Sequence, residues 1–169
     1  LADREMAREV LRFGELPPEW LDLMERRHRS AGSFKIQIKL AGREDAPVAT
    51  LQRLAKCAVD LNSKSLLLEL AENRRARTDP KIRKMLMGCP LVLVSQTLLP
   101  YAEPQEYPLL LDHLISAGPE VALSQLEQAP PPPGTQVTDV QIAALLTAPQ
   151  TADRLSVITR LRDLRQEAA

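Results

Sequence analysis

A complete helix signal stands in ten consecutive residues, Asp79-Pro80-Lys81-Ile82-Arg83-Lys84-Met85-Leu86-Met87-Gly88. Asp79 is a preferred N-cap residue, because its carboxylate accepts hydrogen bonds from the first amides of a helix. Proline in the next position has a helical backbone angle and needs no amide partner there. Ile82, Met85 and Leu86 form an apolar stripe with helical spacing, and glycine commonly follows the end of a helix. These residues therefore predict a short amphipathic helix.

Similar short helices, each opened by a proline or a small polar residue, are predicted on both sides of this one. They begin near Pro17, Pro47, Asn62 or Ser63, Pro90, Pro104, Pro119, Thr138 and Thr151. Only 3% of the residues are aromatic while 44% are hydrophobic, so the core must consist of aliphatic side chains, which suit helix packing better than sheets. The sequence predicts an all-α protein, either an irregular helical repeat or a helical bundle.

Residues 34–40 depart from this pattern, because apolar and polar side chains alternate in Phe34-Lys35-Ile36-Gln37-Ile38-Lys39-Leu40 between Gly32 and Gly42. A period of two predicts a short β-strand, which must pair inside the fold, with a partner, or with a second copy to form a homo-oligomer. Phe34, Ile36 and Ile38 are then candidate partner-binding residues. A helix is the remaining interpretation, since Phe34 and Ile38 also share a helical face.

Three segments resemble the leucine-rich repeat variant proteins, a family within the HEAT-like and armadillo-like class of helical repeats. They are Pro47-Val48-Ala49-Thr50-Leu51-Gln52-Arg53-Leu54-Ala55, Leu68-Glu69-Leu70-Ala71-Glu72-Asn73 with the following Asp79-Pro80-Lys81-Ile82-Arg83, and residues 90–102. The resemblance covers residues 43–126 and implies a helical-repeat surface that binds another macromolecule. The chain lacks the cysteine cluster that holds an iron–sulfur centre in one member of the family, so the resemblance implies no cofactor.

A proline run divides the chain near its end, at Ala129-Pro130-Pro131-Pro132-Pro133-Gly134. Such a run forms a stiff polyproline II spacer. We therefore predict a helical-repeat domain at residues 1–128, a proline-rich linker at 129–137 and a C-terminal helical pair at 138–169. Thr138 and Gln141 have the spacing of a capping box at the start of this pair.

The net charge is zero, but the two halves of the chain differ in sign. Residues 1–100 carry 18 basic and 13 acidic side chains, a net charge of +5, whereas residues 101–169 carry 4 and 9, a net charge of −5. This asymmetry can guide self-association or orient a partner, or it can reflect two solvated faces.

The densest positive segment has six basic side chains within 11 residues: Arg74, Arg75, Arg77, Lys81, Arg83 and Lys84. We expect Arg74 to Arg77 in a loop, and Lys81 and Lys84 on one helix face. This cluster is either a solvated face or a binding site for an acidic protein, with nucleic acid a less favoured ligand because stacking aromatics are lacking. Reversing Arg74, Arg75 and Arg77 to Glu is then expected to weaken binding and to leave thermal stability nearly unchanged.

No residue pattern in the chain points to catalysis or to a metal. His28, His113, Cys57 and Cys89 do not have metal-ligand spacing, and neither a nucleophile elbow nor a glycine-rich phosphate loop is present. No apolar run has the length of a membrane span, and the N-terminus does not resemble a signal peptide. We therefore expect a cytoplasmic, non-enzymatic interaction or scaffolding protein that has no cofactor or metal and does not bind membranes.

Overall fold

The protein is helical throughout the described part of the chain. The structure, a computed structural model, describes residues 2–29 and 33–167, and within these ranges it contains twelve α-helices and no β-strand. The helices belong to two compact units, Leu1–Cys89 and Pro90–Ala169, which we refer to as the first unit and the second unit. The all-α prediction is confirmed.

The first unit contains seven helices, which are α1 (Ala2–Val10), α2 (Pro18–Arg27), α3 (Phe34–Ala41), α4 (Val48–Asp60), α5 (Lys64–Glu72), α6 (Arg74–Thr78) and α7 (Pro80–Met87). The helix predicted at residues 79–88 is confirmed: the Asp79 carboxylate accepts hydrogen bonds from the Lys81 and Ile82 amides at 3.1 and 3.0 Å, and Gly88 is the C-cap. The core of this unit consists of fully buried aliphatic side chains, among them Leu21, Ile36, Leu40, Leu51, Leu54, Leu66, Leu67, Leu70, Ile82 and Leu86.

The prediction of a β-strand at residues 34–40 is wrong, because this segment forms α3. The buried face of α3 has helical spacing and consists of Ile36, Gln37, Leu40 and Ala41. Gln37 occupies a core position that is usually apolar, and its Nε2 donates a hydrogen bond to the His28 carbonyl oxygen at 2.9 Å. This buried polar residue produces the alternating pattern in the sequence. Gly32, the predicted boundary, lies outside the described residues.

Arg43 holds the connection between α1 and α2 in place. Its guanidinium donates hydrogen bonds to the carbonyl oxygens of Leu11 and Phe13, both at 3.1 Å, and to that of Gly14 at 2.5 Å. Asp45 pairs with the same guanidinium and accepts a hydrogen bond from the Leu16 amide at 2.9 Å. The Arg43 side chain therefore donates hydrogen bonds to three backbone carbonyl oxygens that have no partner within a helix.

The second unit contains five helices, which are α8 (Val92–Leu98), α9 (Tyr107–Ala117), α10 (Pro119–Gln128), α11 (Asp139–Leu145) and α12 (Ala152–Glu167). The predicted capping box is confirmed: Thr138 and Gln141 exchange hydrogen bonds of 3.2 and 3.0 Å at the start of α11. The side-chain amide of Gln141 also donates a hydrogen bond to the Pro108 carbonyl oxygen at 2.9 Å, and this contact joins α11 to α9.

The proline run lies inside the second unit, whereas the two units divide between Cys89 and Pro90. Tyr107 is fully buried, and its hydroxyl donates a hydrogen bond of 2.8 Å to the Ala129 carbonyl oxygen. The Thr135 amide closes a turn by donating to the Pro132 carbonyl oxygen at 3.2 Å. Pro131, Thr135 and Val137 are buried, so the segment predicted as a linker packs against its own unit.

We expect Tyr107→Phe to lower the free energy of unfolding by about 1–2 kcal/mol, because a buried Ala129 carbonyl loses its donor. Urea denaturation measures this change. Limited proteolysis should also cleave within residues 130–137 faster in the variant than in the wild-type protein. Unchanged stability and cleavage would show that this hydrogen bond does not hold the proline run in place.

Candidate interaction surface

The predicted basic cluster lies on α6 and α7, and Asn73 fixes the position of α6. Asn73 is 2% exposed, and its side-chain oxygen caps α6 by accepting from the Ala76 amide at 3.0 Å. Its amide nitrogen donates to the carbonyl oxygens of Ala41 at 2.7 Å and Arg43 at 2.9 Å. The prediction of a loop at residues 74–77 is therefore wrong, because these residues form α6, which the Asn73 side chain caps.

Asp79 fixes the start of α7, against which α6 packs. In addition to capping α7, its carboxylate accepts hydrogen bonds from Gln52 on α4, with distances of 3.2 and 3.1 Å to its two oxygens. Asp79 is the one acidic residue between positions 73 and 84. Its charge lies at the N-terminus of α7, where the helix dipole stabilises it.

Three of the six basic side chains hold parts of the fold together. Arg75 donates to the Ala46 carbonyl oxygen at 3.2 Å, and Arg77 donates to the Ala71 carbonyl oxygen near the C-terminus of α5 at 3.3 Å. Arg83 donates to the Arg77 carbonyl oxygen at 3.3 Å. Reversing Arg75 and Arg77 removes these contacts, so the expectation that such a variant keeps its full stability no longer stands.

The other three basic side chains, Arg74, Lys81 and Lys84, are exposed. Within residues 2–29 and 33–167, their side chains form neither an ion pair nor a hydrogen bond. Lys81 and Lys84 are three residues apart on α7 and share a face. We call Arg74, Lys81 and Lys84 the basic surface, because their charges are available to an incoming anionic group.

The second set of predicted partner-binding residues is less accessible. Ile36 is fully buried, while Phe34 and Ile38 are half-buried. All three lie on α3, where the backbone amides and carbonyls bond within the helix. A homo-oligomer formed by strand pairing through residues 34–40 is therefore not available to this segment.

An ionic network between α2 and α4 was not predicted from the sequence. Glu25 is 2% exposed and accepts hydrogen bonds from Arg53 at 2.7 Å and Arg29 at 2.9 Å, and Asp22 pairs with Arg53 and accepts from Thr50 at 3.0 Å. Burial opposes the charged form of Glu25, but the two arginines outweigh it and lower the pKa of the carboxyl. Partial burial of Asp22 is likewise outweighed by Thr50 and Arg53, which lower its pKa.

A Ser–His pair is also present, on α8 and α9 of the second unit. Ser95 Oγ lies 3.1 Å from His113 Nδ1, a distance that a nucleophile and its base can have. Ser95 is fully buried, however, so its hydroxyl joins two helices and does not face a substrate. No group of His, Cys, Asp and Glu side chains among the described residues is arranged to hold a metal ion.

Comparisons with known proteins provide no family: the chain matches no protein-family model, no curated protein and no solved structure. The resemblance to leucine-rich repeat variant proteins stays a prediction. In the described part of the chain, no helix is long and apolar enough to cross a membrane. The residues of this chain are therefore the sole basis for its proposed function.

Proposed function

We propose that the chain is a non-enzymatic interaction module whose basic surface binds an acidic protein partner. The observation that supports this most is that Arg74, Lys81 and Lys84 are exposed and unpaired on helices with fixed starts. Asn73 caps α6 and Asp79 caps α7, and both residues also bind other elements of the first unit. A surface on such a scaffold loses little conformational entropy in its backbone when it binds.

The proposed scaffold is an irregular, HEAT-like helical repeat. Helices that follow each other along the chain pack together in both units, as α4, α5, α6 and α7 do in the first and α8, α9 and α10 do in the second. Packing between sequential neighbours is the principle by which helical repeats build extended binding surfaces. The two cysteines are free thiols, which fits the reducing environment of the cytoplasm.

An acidic protein fits the basic surface better than a nucleic acid. No Phe, Tyr or Trp occurs between positions 35 and 100, so the basic surface has no neighbouring aromatic ring in sequence on which bases can stack. Three lysine and arginine side chains also release few counterions from a phosphate backbone, which limits electrostatic affinity at physiological salt. Carboxylates of an acidic peptide need only these charged contacts.

We expect a fluorescent peptide of consecutive glutamates to bind the protein and the K81E/K84E variant to bind it at least tenfold more weakly, because two attractive charges become repulsive. Fluorescence anisotropy at low salt measures both affinities. A single-stranded oligonucleotide of the same charge should bind no better than the peptide.

The matched control is K56E/K64E, which changes the net charge equally at two other exposed lysines of the first unit. This variant should keep most of the peptide affinity. Equal loss in the two variants would contradict a localised binding surface, and clear preference for the oligonucleotide would make the ligand a nucleic acid. Unchanged unfolding curves for both variants show that the comparison concerns binding and not stability.

A further inference from the structure

Seven acidic residues lie in a stretch of the second unit that contains no opposing lysine or arginine. Lys84 is the last basic residue before Arg154, and the acidic residues between them are Glu103, Glu106, Asp112, Glu120, Glu127, Asp139 and Asp153. Six of the seven are exposed, the exception being the half-buried Glu106. Arg154 pairs with Glu127 at 3.6 Å, whereas Glu103 and Glu120 form no ion pair with any described residue. The second unit therefore presents negative charge to solvent.

The first unit has the opposite sign and the same magnitude. All 18 basic and 13 acidic residues counted for positions 1–100 lie before Cys89, so this unit carries +5 and the second unit carries −5. The whole chain is neutral, so two copies do not repel each other at long range. Attraction between unlike units then determines how two copies approach.

We propose that the acidic partner of the basic surface is the second unit of another copy of this chain. This inference rests on the proposed function and specifies its ligand. In such a contact, Arg74, Lys81 and Lys84 of one copy face exposed carboxylates of the next, among them Glu103 and Glu120, and we call the exposed carboxylates of the second unit the acidic surface. A contact between the basic surfaces of two copies would instead place like charges opposite each other, which costs affinity.

Two arrangements provide such a contact. In a two-fold symmetric dimer, each basic surface meets the acidic surface of the other copy, whereas in a head-to-tail assembly each copy keeps one free surface of each kind and can add further copies. The strength of either assembly depends on screening, because the contributing charges are exposed at the surface. Added salt therefore dissociates it.

Sedimentation velocity tests this on the full chain. At low salt the mass of the wild-type protein should rise with concentration, and at about 0.5 M salt, where the screening length is only several ångströms, it should return to that of the monomer. K81E/K84E and E103K/E120K should each weaken association at least tenfold. K56E/K64E should associate as the wild-type protein does, since it changes the net charge by the same amount at other positions.

Mixing the two defective variants is the decisive measurement. K81E/K84E retains its acidic surface and E103K/E120K retains its basic surface, and the two altered surfaces, with glutamates at positions 81 and 84 and lysines at positions 103 and 120, again have opposite charges. An equimolar mixture should therefore associate, although each variant alone associates at least tenfold more weakly than the wild-type protein. A K56E/K64E and E103K/E120K mixture has the same net charges but should associate more weakly, because the lysines introduced by E103K/E120K meet an unchanged basic surface.

A wild-type protein that stays monomeric at low salt, or a mixture of the defective variants that associates no better than the control mixture, would overturn association between unlike units. Equal weakening by K56E/K64E and K81E/K84E would overturn it too, because net charge alone would then explain the attraction. The glutamate-peptide titration separates the two proposals. If the protein is monomeric but binds the peptide through Lys81 and Lys84, the proposed function is supported and only the self-association is contradicted.

Discussion

Replacing Arg53 with alanine is expected to lower the free energy of unfolding by about 2–4 kcal/mol at pH 7, because the change leaves a buried carboxylate with one fewer partner. Glu25 is 2% exposed and has Arg53 and Arg29 as hydrogen-bonding partners. Arg53 also joins Asp22 to the same network, so its removal affects two carboxylates on α2. Denaturation by urea with a far-UV circular dichroism readout measures the loss.

The pH dependence of this effect follows from the lowered pKa values of Asp22 and Glu25. A carboxyl whose pKa is lower in the folded state stabilises the fold above its unfolded pKa of about 4 and loses that contribution as the pH falls through the folded value. The difference in stability between the wild-type protein and Arg53→Ala should therefore be largest near neutral pH and shrink below about pH 4.

Arg26→Ala is the matched control for Arg53→Ala, because Arg26 pairs with the same Asp22 at 2.9 Å but has a side chain that is 66% exposed. Exposed ion pairs contribute little, so this variant should change the free energy of unfolding by less than about 1 kcal/mol. Similar losses in Arg26→Ala and Arg53→Ala would mean that the network contributes only through surface charge. A difference between wild-type and Arg53→Ala stability that does not depend on pH would contradict the role of the carboxylates.

Local signals in the sequence predicted helix starts well. Asp79 with Pro80, and Thr138 with Gln141, are caps in the structure because both depend on contacts within one turn of the chain. Ser63, one of the two residues predicted to cap α5, accepts a hydrogen bond from the Leu66 amide at 3.4 Å. Such contacts involve residues two or three positions apart, so a short stretch of sequence contains both partners.

The errors arise where a polar side chain bonds to a distant part of the chain. Gln37 can be buried because its side chain donates a hydrogen bond to the His28 carbonyl oxygen. A polar residue at this core position gives residues 34–40 the alternating pattern that is typical of a strand. The cap at Asn73 is not among the predicted helix starts, and its two other contacts, with the carbonyl oxygens of Ala41 and Arg43, join residues about thirty positions apart. A sequence motif that spans a single helical turn cannot reveal hydrogen bonds between residues that lie far apart in the sequence.

The candidate surface was predicted only in part for the same reason. The sequence identified a dense group of cations, but it could not show that Arg75 and Arg77 donate to backbone carbonyls while Lys81 and Lys84 remain exposed. The Glu25–Arg53 pair joins residues 28 positions apart, and no periodicity predicts it. The i,i+4 spacings of Asp22 with Arg26 and of Glu25 with Arg29 are the signals in the sequence that could have indicated part of this network.

We expect Asn73→Ala to lower the free energy of unfolding by about 2–4 kcal/mol, since one change removes a helix cap and leaves two backbone carbonyls without a donor. The residue is buried, and water does not readily replace the amide at the Ala41 carbonyl. The same variant should weaken binding of the glutamate peptide, because α6, which carries Arg74, loses its fixed start. Urea denaturation and anisotropy titration measure the two effects.

Two further variants separate the cap from the carbonyl contacts. Ser63→Ala removes a cap alone and should cost about 1 kcal/mol. Asn73→Asp keeps an acceptor for the Ala76 amide, but it replaces the donor with a carboxylate beside the Ala41 and Arg43 carbonyls. At pH 7 this variant should be at least as unstable as Asn73→Ala, and it should recover part of its stability in acid, where the protonated carboxyl donates again. An Asn73→Asp protein as stable as the wild type would show that the cap alone determines the role of Asn73 and that the two long-range hydrogen bonds contribute nothing.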